Sequence, residues 1–308
     1  MKCPQLSDLP APPDGLTGWP WTEQTSALPP ALPDGGAWPR ITIVTPSYNQ
    51  AQFVEQTLRS VLLQNYPNLE YIVIDGGSDD GSARIIEKYA PWLSHWESER
   101  DRGQSHAINK GLERASGEVI AWLNSDDFYL PDALQTVARN LAAGTGNFAL
   151  VGRCLAVYPD GRPPLPIYGQ YESYQRLLRF WEGYQMHQSS IFWRREAMEK
   201  VGLLDEEQHL IMDFDLWVRI GRHFDFKDIE ETLSCATFHQ DTKTATGDGY
   251  DYPRALAANA PRYWGSPLRP HYWRLKSSMI YCTKIRPPLS HLKNALVGRA
   301  KNKTTDGE

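Results

Sequence analysis

Val119-Ile120-Ala121-Trp122-Leu123-Asn124-Ser125-Asp126-Asp127 reads as an apolar strand that runs directly into a polar turn carrying two adjacent carboxylates. Five consecutive apolar residues fit a strand covered on both faces, the kind found in parallel sheets. Two like charges side by side at the end of such a strand are costly unless a cation or hydrogen-bond donors compensate them. A hard divalent ion such as Mg2+ or Mn2+ would do so and could bridge to a diphosphate. The pair alone is equally consistent with a plain helix cap ahead of the helix that Pro131 opens.

The same design occurs twice upstream. Ile41-Thr42-Ile43-Val44-Thr45 is a β-branched strand ending in the turn Pro46-Ser47-Tyr48-Asn49, followed by Phe53, Val54, Leu58, Val61 and Leu62 at helical spacing. Tyr71-Ile72-Val73-Ile74 then ends at Asp75 and a Gly-Gly turn. A helix over Ser82 to Tyr89, a short strand at Ser94–Glu97 and a helix over Gln104 to Ala115 lead back to the opening stretch. This alternation predicts an α/β fold, a Rossmann-like, mostly parallel sheet with helices on both faces. Ligands of such sheets bind beyond the carboxyl ends of the strands. Ser47-Tyr48-Asn49, Asp75 and Asp126-Asp127 all fall there, which predicts one shared cleft. After residue 150 the pattern loosens: a strand at Phe148–Val157, a proline-rich loop over 158–168, a helix over 171–181, a strand at Ser189–Trp193, a helix through Val201 and another from Leu216 to Phe224.

Three regions are expected: a Pro-rich arm over 1–39, a main domain over 40–245 and an extension over 246–308. Proline density opposes helix in the arm, and Trp19, Trp21 and Trp38 make it a strap packed on the main domain. The extension is helical and aromatic, then basic, with Lys284, Arg286, Lys293, Arg299, Lys301 and Lys303. It would suit an anionic membrane surface or a lipid-linked acceptor, or simply be a solvated tail. The chain has 308 residues, 41% hydrophobic, with net charge −5, so a sizeable core is expected and a nucleic-acid partner is not. Cys3, Cys154, Cys235 and Cys282 lack paired zinc-ligand spacing and read as free thiols of a reducing compartment. With no leader-like segment and no apolar run of the ~18 residues a span needs, a cytoplasmic location is expected.

Other residues carry two readings each. Asp75 could accept hydrogen bonds from a ribose or base, or shape its own turn. Asp101 could touch a nucleotide or stabilise the start of the next helix. Asp213, opening a helix whose apolar side is Leu216, Trp217 and Ile220, could be a general base or a cap. His239 could bind metal or phosphate, or be structural. The first loop lacks Gly-x-Gly-x-x-Gly, which argues against a dinucleotide enzyme, and there is no phosphate loop of the Gly-x-x-x-x-Gly-Lys type.

Taken in order, Thr45-Pro46-Ser47-Tyr48-Asn49, Asp75-Gly76-Gly77-Ser78-Asp79-Asp80-Gly81-Ser82, Asp101-Arg102-Gly103 with Ala107 and Asn109, Asn124-Ser125-Asp126-Asp127 and Asp213-Phe214-Asp215-Leu216 resemble the motifs of family 2 glycosyltransferases, which have the GT-A fold. The resemblance spans roughly residues 40–245. It implies inverting transfer of one sugar from a nucleotide-diphosphate donor, UDP-sugar by default, to a glycan or lipid-linked acceptor in surface polysaccharide or glycan assembly. Thr45, Pro46, Tyr48 and Asn49 would line the nucleotide pocket, with Asp75, Asp101, Gly103 and Asn109 on the same side. Asp126 and Asp127 would hold the ribose and a Mn2+ or Mg2+ ion. Asp213 would be the base, and His239 would assist at the metal or diphosphate. Two positions depart from the family: Met212 where Glu is frequent, and Asn124 where Asp is frequent. They leave open whether Asp213 or Asp215 is the base, and which of the paired aspartates meets the metal. Gln175, Arg179 and Trp181 do not have the spacing of the processive members, which favours single-sugar transfer. A sugar-1-phosphate nucleotidyltransferase would need a Gly-rich first loop, which is missing. A non-catalytic nucleotide-sugar or carbohydrate-binding protein of the same fold is the alternative.

Overall fold

Three apolar runs form the spine of the sheet. β1 (Ile41–Ser47) pairs in parallel with β2 (Leu69–Asp75) on one side. The short β3 (His95–Ser98) extends β2, and β4 (Val119–Trp122) pairs with the other edge of β1, all in parallel. β1, β2 and β4 are buried at every position, so both faces of this half are covered. The computed structural model describes residues 3–167, 170–182, 186–240, 242 and 251–281. Cys282 and the basic residues of the tail lie outside the described residues.

Helices α1 (Val54–Leu62), α2 (Ser82–Tyr89) and α3 (Gln104–Arg114) fill the crossovers. α3 lies close on β1 because Gly111 has no side chain: a Cβ there would stand 2.3 Å from Val44 Cγ1. The chain continues through β5 (Phe128–Tyr129), α4 (Ala133–Leu141), β6 (Ala149–Val157), β7 (Leu165–Ile167), α5 (Tyr174–Leu177), β8 (Ile191–Arg194), α6 (Arg195–Val201), α7 (Met212–Gly221), β9 (Phe226–Thr237), α8 (Asp251–Asn259) and α9 (Pro270–Ile280). Strand order is β3-β2-β1-β4-β8-β6-β9-β5, with β7 on β6. The sheet is parallel from β3 to β4; β8 then runs antiparallel to both neighbours, and β6 and β9 are parallel to each other. The helix expected over 171–181 is only the single turn of α5 plus a 3-10 turn at Phe180–Glu182. Residues Gln188–Ser190 form a 3-10 turn before β8, because Ser189 and Ser190 both turn inward and place their hydroxyls 2.8 and 2.6 Å from Ser234 Oγ. Among the described residues no helix is long and apolar enough to cross a membrane.

The proline-rich arm is held by one buried cation. Arg59 of α1 is fully buried and donates to the carbonyls of Pro10 (2.9 Å), Pro20 (3.1 Å) and Trp21 (2.7 Å). It also reaches Tyr89 Oη at 3.2 Å, which in turn donates to Glu55. Around it, Trp19 Nε1 donates to the Tyr129 carbonyl and Tyr66 Oη to the Pro39 carbonyl. Apart from a 3-10 turn at Leu6–Asp8 the arm has no helix or strand to pair its carbonyls, and the guanidinium supplies donors in their place. Arg59→Met should therefore lower stability by ~3–5 kcal/mol, taking the guanidinium from one buried and two half-buried carbonyls. Urea unfolding measures the loss, and limited proteolysis should show first cleavage before residue 40.

Candidate functional site

The carboxyl ends of β1, β2, β4, β6 and β9 open on one cleft of about 1810 Å³. Pro46, Tyr48 and Asn49 border it at β1, Gly76 and Gly77 at β2, and Asn124 to Asp127 at β4. Phe238 and His239 follow β9, and the first turn of α7 brings Asp213. The sequence thus folds so that segments more than a hundred residues apart share a wall.

Register explains how the paired aspartates diverge. β5 pairs antiparallel with β9, Phe128 opposite Cys235 and Tyr129 opposite Ser234. The turn before β5 therefore lies beside the residues after Ser234. Asp127 points inward, is 6% exposed, and accepts from Thr237 N–H at 3.0 Å. Burial pushes its carboxyl well above the usual carboxylate range, and the neighbouring Asp126 charge adds to the rise. Asp126 turns to the cleft, with its Oδ2 3.1 Å from His239 Nε2. His239 packs its ring 4.6 Å from that of Phe53. Its Nδ1 is buried and meets no hydrogen-bond partner among the described residues.

Asn124 sits at the hub of a side-chain amide chain that sequence reading missed. Its Oδ1 accepts from Gln104 at 2.8 Å, and its Nδ2 donates to Gln188 Oε1 at 3.2 Å. Gln188 in turn donates to the Trp122 carbonyl at 2.7 Å. An aspartate at position 124 would lose the donation to Gln188 and add a third charge beside Asp126 and Asp127. No local sequence signal marks Gln104 or Gln188; only the fold brings them together.

The residues expected in the nucleotide pocket separate into two groups. Pro46, Tyr48, Asn49, Asp101 and Gly103 border the cleft, with Tyr48 62% exposed. Asn49 has φ 51°, the left-handed region asparagine tolerates, and that bend lets it exchange hydrogen bonds with Ser78 and Asp79. Asp101 caps the turn by accepting from Gly103 N–H at 2.7 Å and lies so near Gly76 that a Cβ there would meet its Oδ2 at 2.9 Å. Thr45, Asp75 and Asn109 lie behind the wall. Thr45 Oγ1 is 3.0 Å from Tyr71 Oη. Asp75 is fully buried and accepts from the Gly77 and Ser78 amides and the Ser78 and Ser98 hydroxyls. Asn109 exchanges two 3.0 Å bonds with the Leu204 backbone, tying α3 to the segment that leads to α7.

Asp213 and Asp215 are two residues apart on α7, about 200° around the helix, so one cleft cannot receive both. Asp213 faces the cleft. Asp215 is 3% exposed and committed to protein: its Oδ2 pairs with Arg219 Nε at 2.8 Å and its Oδ1 accepts from Tyr263 Oη at 2.6 Å. His187 borders the same cleft, its Nδ1 3.2 Å from Ser189 Oγ. Burial pulls the imidazole below its ordinary value, against the attraction of Asp127 and Asp213.

Asp126 and His239 suit a shared divalent cation. Their Oδ2 and Nε2 atoms, 3.1 Å apart at the cleft, are the groups that would hold such an ion. Among the described residues no group of three or more His, Cys, Asp or Glu side chains is placed to hold a metal. A pair of protein ligands leaves positions for phosphate oxygens and water, as a Mg2+-type site requires.

Comparison with known proteins gives a consistent family. Residues 42–202 match the family model described as glycosyl transferase family 2; the match ends before α7, so Asp213 lies outside it. An uncharacterized glycosyltransferase of Rickettsia conorii is 29% identical over 218 residues, covering 65% of this chain and 34% of its own. A Bacillus subtilis protein named as a teichuronic acid biosynthesis glycosyltransferase, TuaG, is 34% identical over 128 residues, covering 41% and 50% respectively. The chain thus spans half or less of these relatives. The crystal structure of S. aureus TarS in complex with UDP-GlcNAc superposes with a TM-score of 0.61 at 16% identity, over 79% of this chain and 72% of that one. The Pyrobaculum calidifontis mannosyltransferase PcManGT in complex with GDP-Man and Mn2+ gives 0.55 at 20% identity, over 91% and 79%. The mixed α/β architecture is that of GT-A transferases.

Asp127 binds its proton more tightly folded than unfolded. Its contribution to stability is therefore full below the usual carboxylate range and lost as pH rises through the folded value. In metal-free protein this one group's share of the unfolding free energy should fall as pH rises above the usual carboxylate range. Asp127→Asn, which keeps an oxygen for Thr237 N–H, should flatten that slope; urea melts across the range test it.

Proposed function

The chain belongs to glycosyl transferase family 2, and we propose that its cleft moves one sugar, with inversion, from a nucleotide-diphosphate sugar to an acceptor hydroxyl. The observation that carries this reading is that Asp213 and the Asp126–His239 pair border the same cleft. UDP-sugar is the proposed donor and surface polysaccharide or glycan assembly the proposed setting. The UDP-GlcNAc complex of TarS and the teichuronic acid name of TuaG support both.

The acceptor hydroxyl is a weak nucleophile until its proton is taken during attack. Asp213 takes it, while the acceptor oxygen forms its bond to the anomeric carbon from the face opposite the departing diphosphate. Asp215 does not share this work, since both its oxygens are bonded within the fold. His187 borders the same cleft, and burial favours its neutral form. Tyr48, Asn49 and Asp101 border the nucleotide end, whereas Asp75 and Asn109 act by holding the backbone that shapes it. Asp126 and His239 would hold the cation, Mn2+ or Mg2+, which when bound offsets the charge growing on the diphosphate.

Two experiments test this. Asp213→Asn should cut sugar transfer by ~10²–10⁴-fold while UDP affinity holds within about twofold, whereas Asp215→Asn should lower the melting temperature. Nucleotide release from a panel of nucleotide-sugars, with Mn2+ and then with EDTA, should show turnover that chelation and Asp126→Ala both suppress. No turnover from any donor with Mn2+ present would leave a nucleotide-sugar-binding protein as the better reading.

A further inference from the structure

α9 turns Tyr272, Leu275 and Met279 into the protein and leaves Trp273, Ile280 and Tyr281 outside. Positions seven and eight apart lie on one side of a helix, so these three form a stripe. Leu268, just before the helix, is 94% exposed, and Trp273 is 56% exposed. Single exposed apolar residues are ordinary, but a cluster of aromatic and aliphatic side chains edged by cations is not. Arg269 and Arg274 are exposed beside the stripe, and Lys276 Nζ stands 5.0 Å from the Trp273 ring. This is the composition of a helix that lies in a membrane interface.

Charge selects the kind of surface. Residues 252–281 carry five Lys and Arg and no Asp or Glu. Residues 1–251 carry 35 Asp and Glu against 21 Lys and Arg. An anionic surface would attract the segment that carries α9 and repel the acidic remainder, which fixes orientation as well as affinity.

We propose that the outward face of α9, with Leu268, docks on an anionic lipid bilayer and sets the apolar wall of the cleft at the membrane boundary. The two are physically joined. Ring contacts run from Phe214, next to Asp213, to Phe180 (5.6 Å), Trp181 (5.2 Å), Trp264 (5.8 Å) and Tyr272 on α9 (5.6 Å). Trp181 Nε1 also donates to Ser278 of α9 at 3.2 Å. Phe180 and Trp181 border the cleft on its apolar side with Leu165, Ile167, Leu177 and Met186. An acceptor whose apolar anchor stays in the bilayer would find its path to Asp213 lined by side chains of its own polarity. That last step rests on Asp213 as the base; the docking surface does not.

Co-sedimentation with vesicles of equal parts phosphatidylglycerol and phosphatidylcholine, against phosphatidylcholine alone, tests the surface. Binding should require the anionic lipid and weaken at ~0.5 M salt. Trp273→Ser and the double change Arg269→Glu with Arg274→Glu should each lower partitioning at least about tenfold, with melting temperature and UDP binding unchanged. A chain ending at Tyr281 should still bind, more weakly. Equal binding by the wild type and the α9 variants, or no preference for anionic lipid, overturns the proposal. So does Trp273-dependent self-association without vesicle binding, which would make the face a protein interface. If vesicle binding holds while nucleotide release fails, the transfer reading falls and the docking surface stands.

Discussion

The cleft depends on one aromatic stack. Trp122 on β4 and Trp217 on α7 lie face to face, ring centres 5.3 Å apart with planes 11° from parallel. Trp193 of β8 wedges against both, 5.6 Å from Trp122 and 5.3 Å from Trp217. Trp122 stands four residues before Asp126, and Trp217 one helical turn after Asp213. The stack therefore ties β4, whose following turn carries one cleft carboxylate, to α7, which carries the other. All three rings are buried to 2% exposure or less, where large aromatic surfaces supply both cohesion and fixed orientation.

The paired aspartates show how backbone register divides labour between identical side chains. One residue of offset at the β5–β9 pairing sends Asp127 to the Thr237 amide and Asp126 to His239. The inward carboxyl gains a hydrogen bond and loses solvent, so its neutral form is favoured. Asn124 extends the same economy of charge: its amide both accepts and donates, joining Gln104 to Gln188. Its donor would be lost with a carboxylate at that position.

What the sequence disclosed follows the strength of local signals. β1, β2 and β4 are near-continuous apolar runs, and a run of that kind has few alternatives to a covered strand. β9 went unread because Lys227, Asp228, Glu230 and Glu231 break its alternation, where its pairing with β6 shifts register. Spacing marked Asp75 and Asn109 as polar residues at a strand end and on a helix, but spacing does not say where an oxygen points. Their partners, Ser98 and Leu204, lie 23 and 95 residues away, and no local pattern announces them. The choice between Asp213 and Asp215 was closer to hand. Leu216, Trp217 and Ile220 set the buried side of α7, but the partners that draw Asp215 inward, Arg219 and Tyr263, become visible only in the fold.

The two halves of the cleft are built differently, and the difference has a chemical consequence. The half under the strand ends rests on residues without exposure, so its shape cannot shift without disturbing the whole sheet. The other half is assembled from the short β7, the single turn of α5 and a 3-10 turn, propped by Trp181, Trp264 and α9. Short elements outside the main ladder can change length or sequence at small cost to the core. A nucleotide-diphosphate group presents nearly the same polar surface whatever sugar it carries, and a rigid wall suits it. Acceptors differ in size and polarity, and a wall of separable pieces can be refitted to them. Asp213 stands where the two meet, fixed through Trp217 to the rigid half and next in sequence to Phe214, which belongs to the other. If Asp213 is the base, as we propose, that position would keep its aim at the donor while the acceptor side is free to vary.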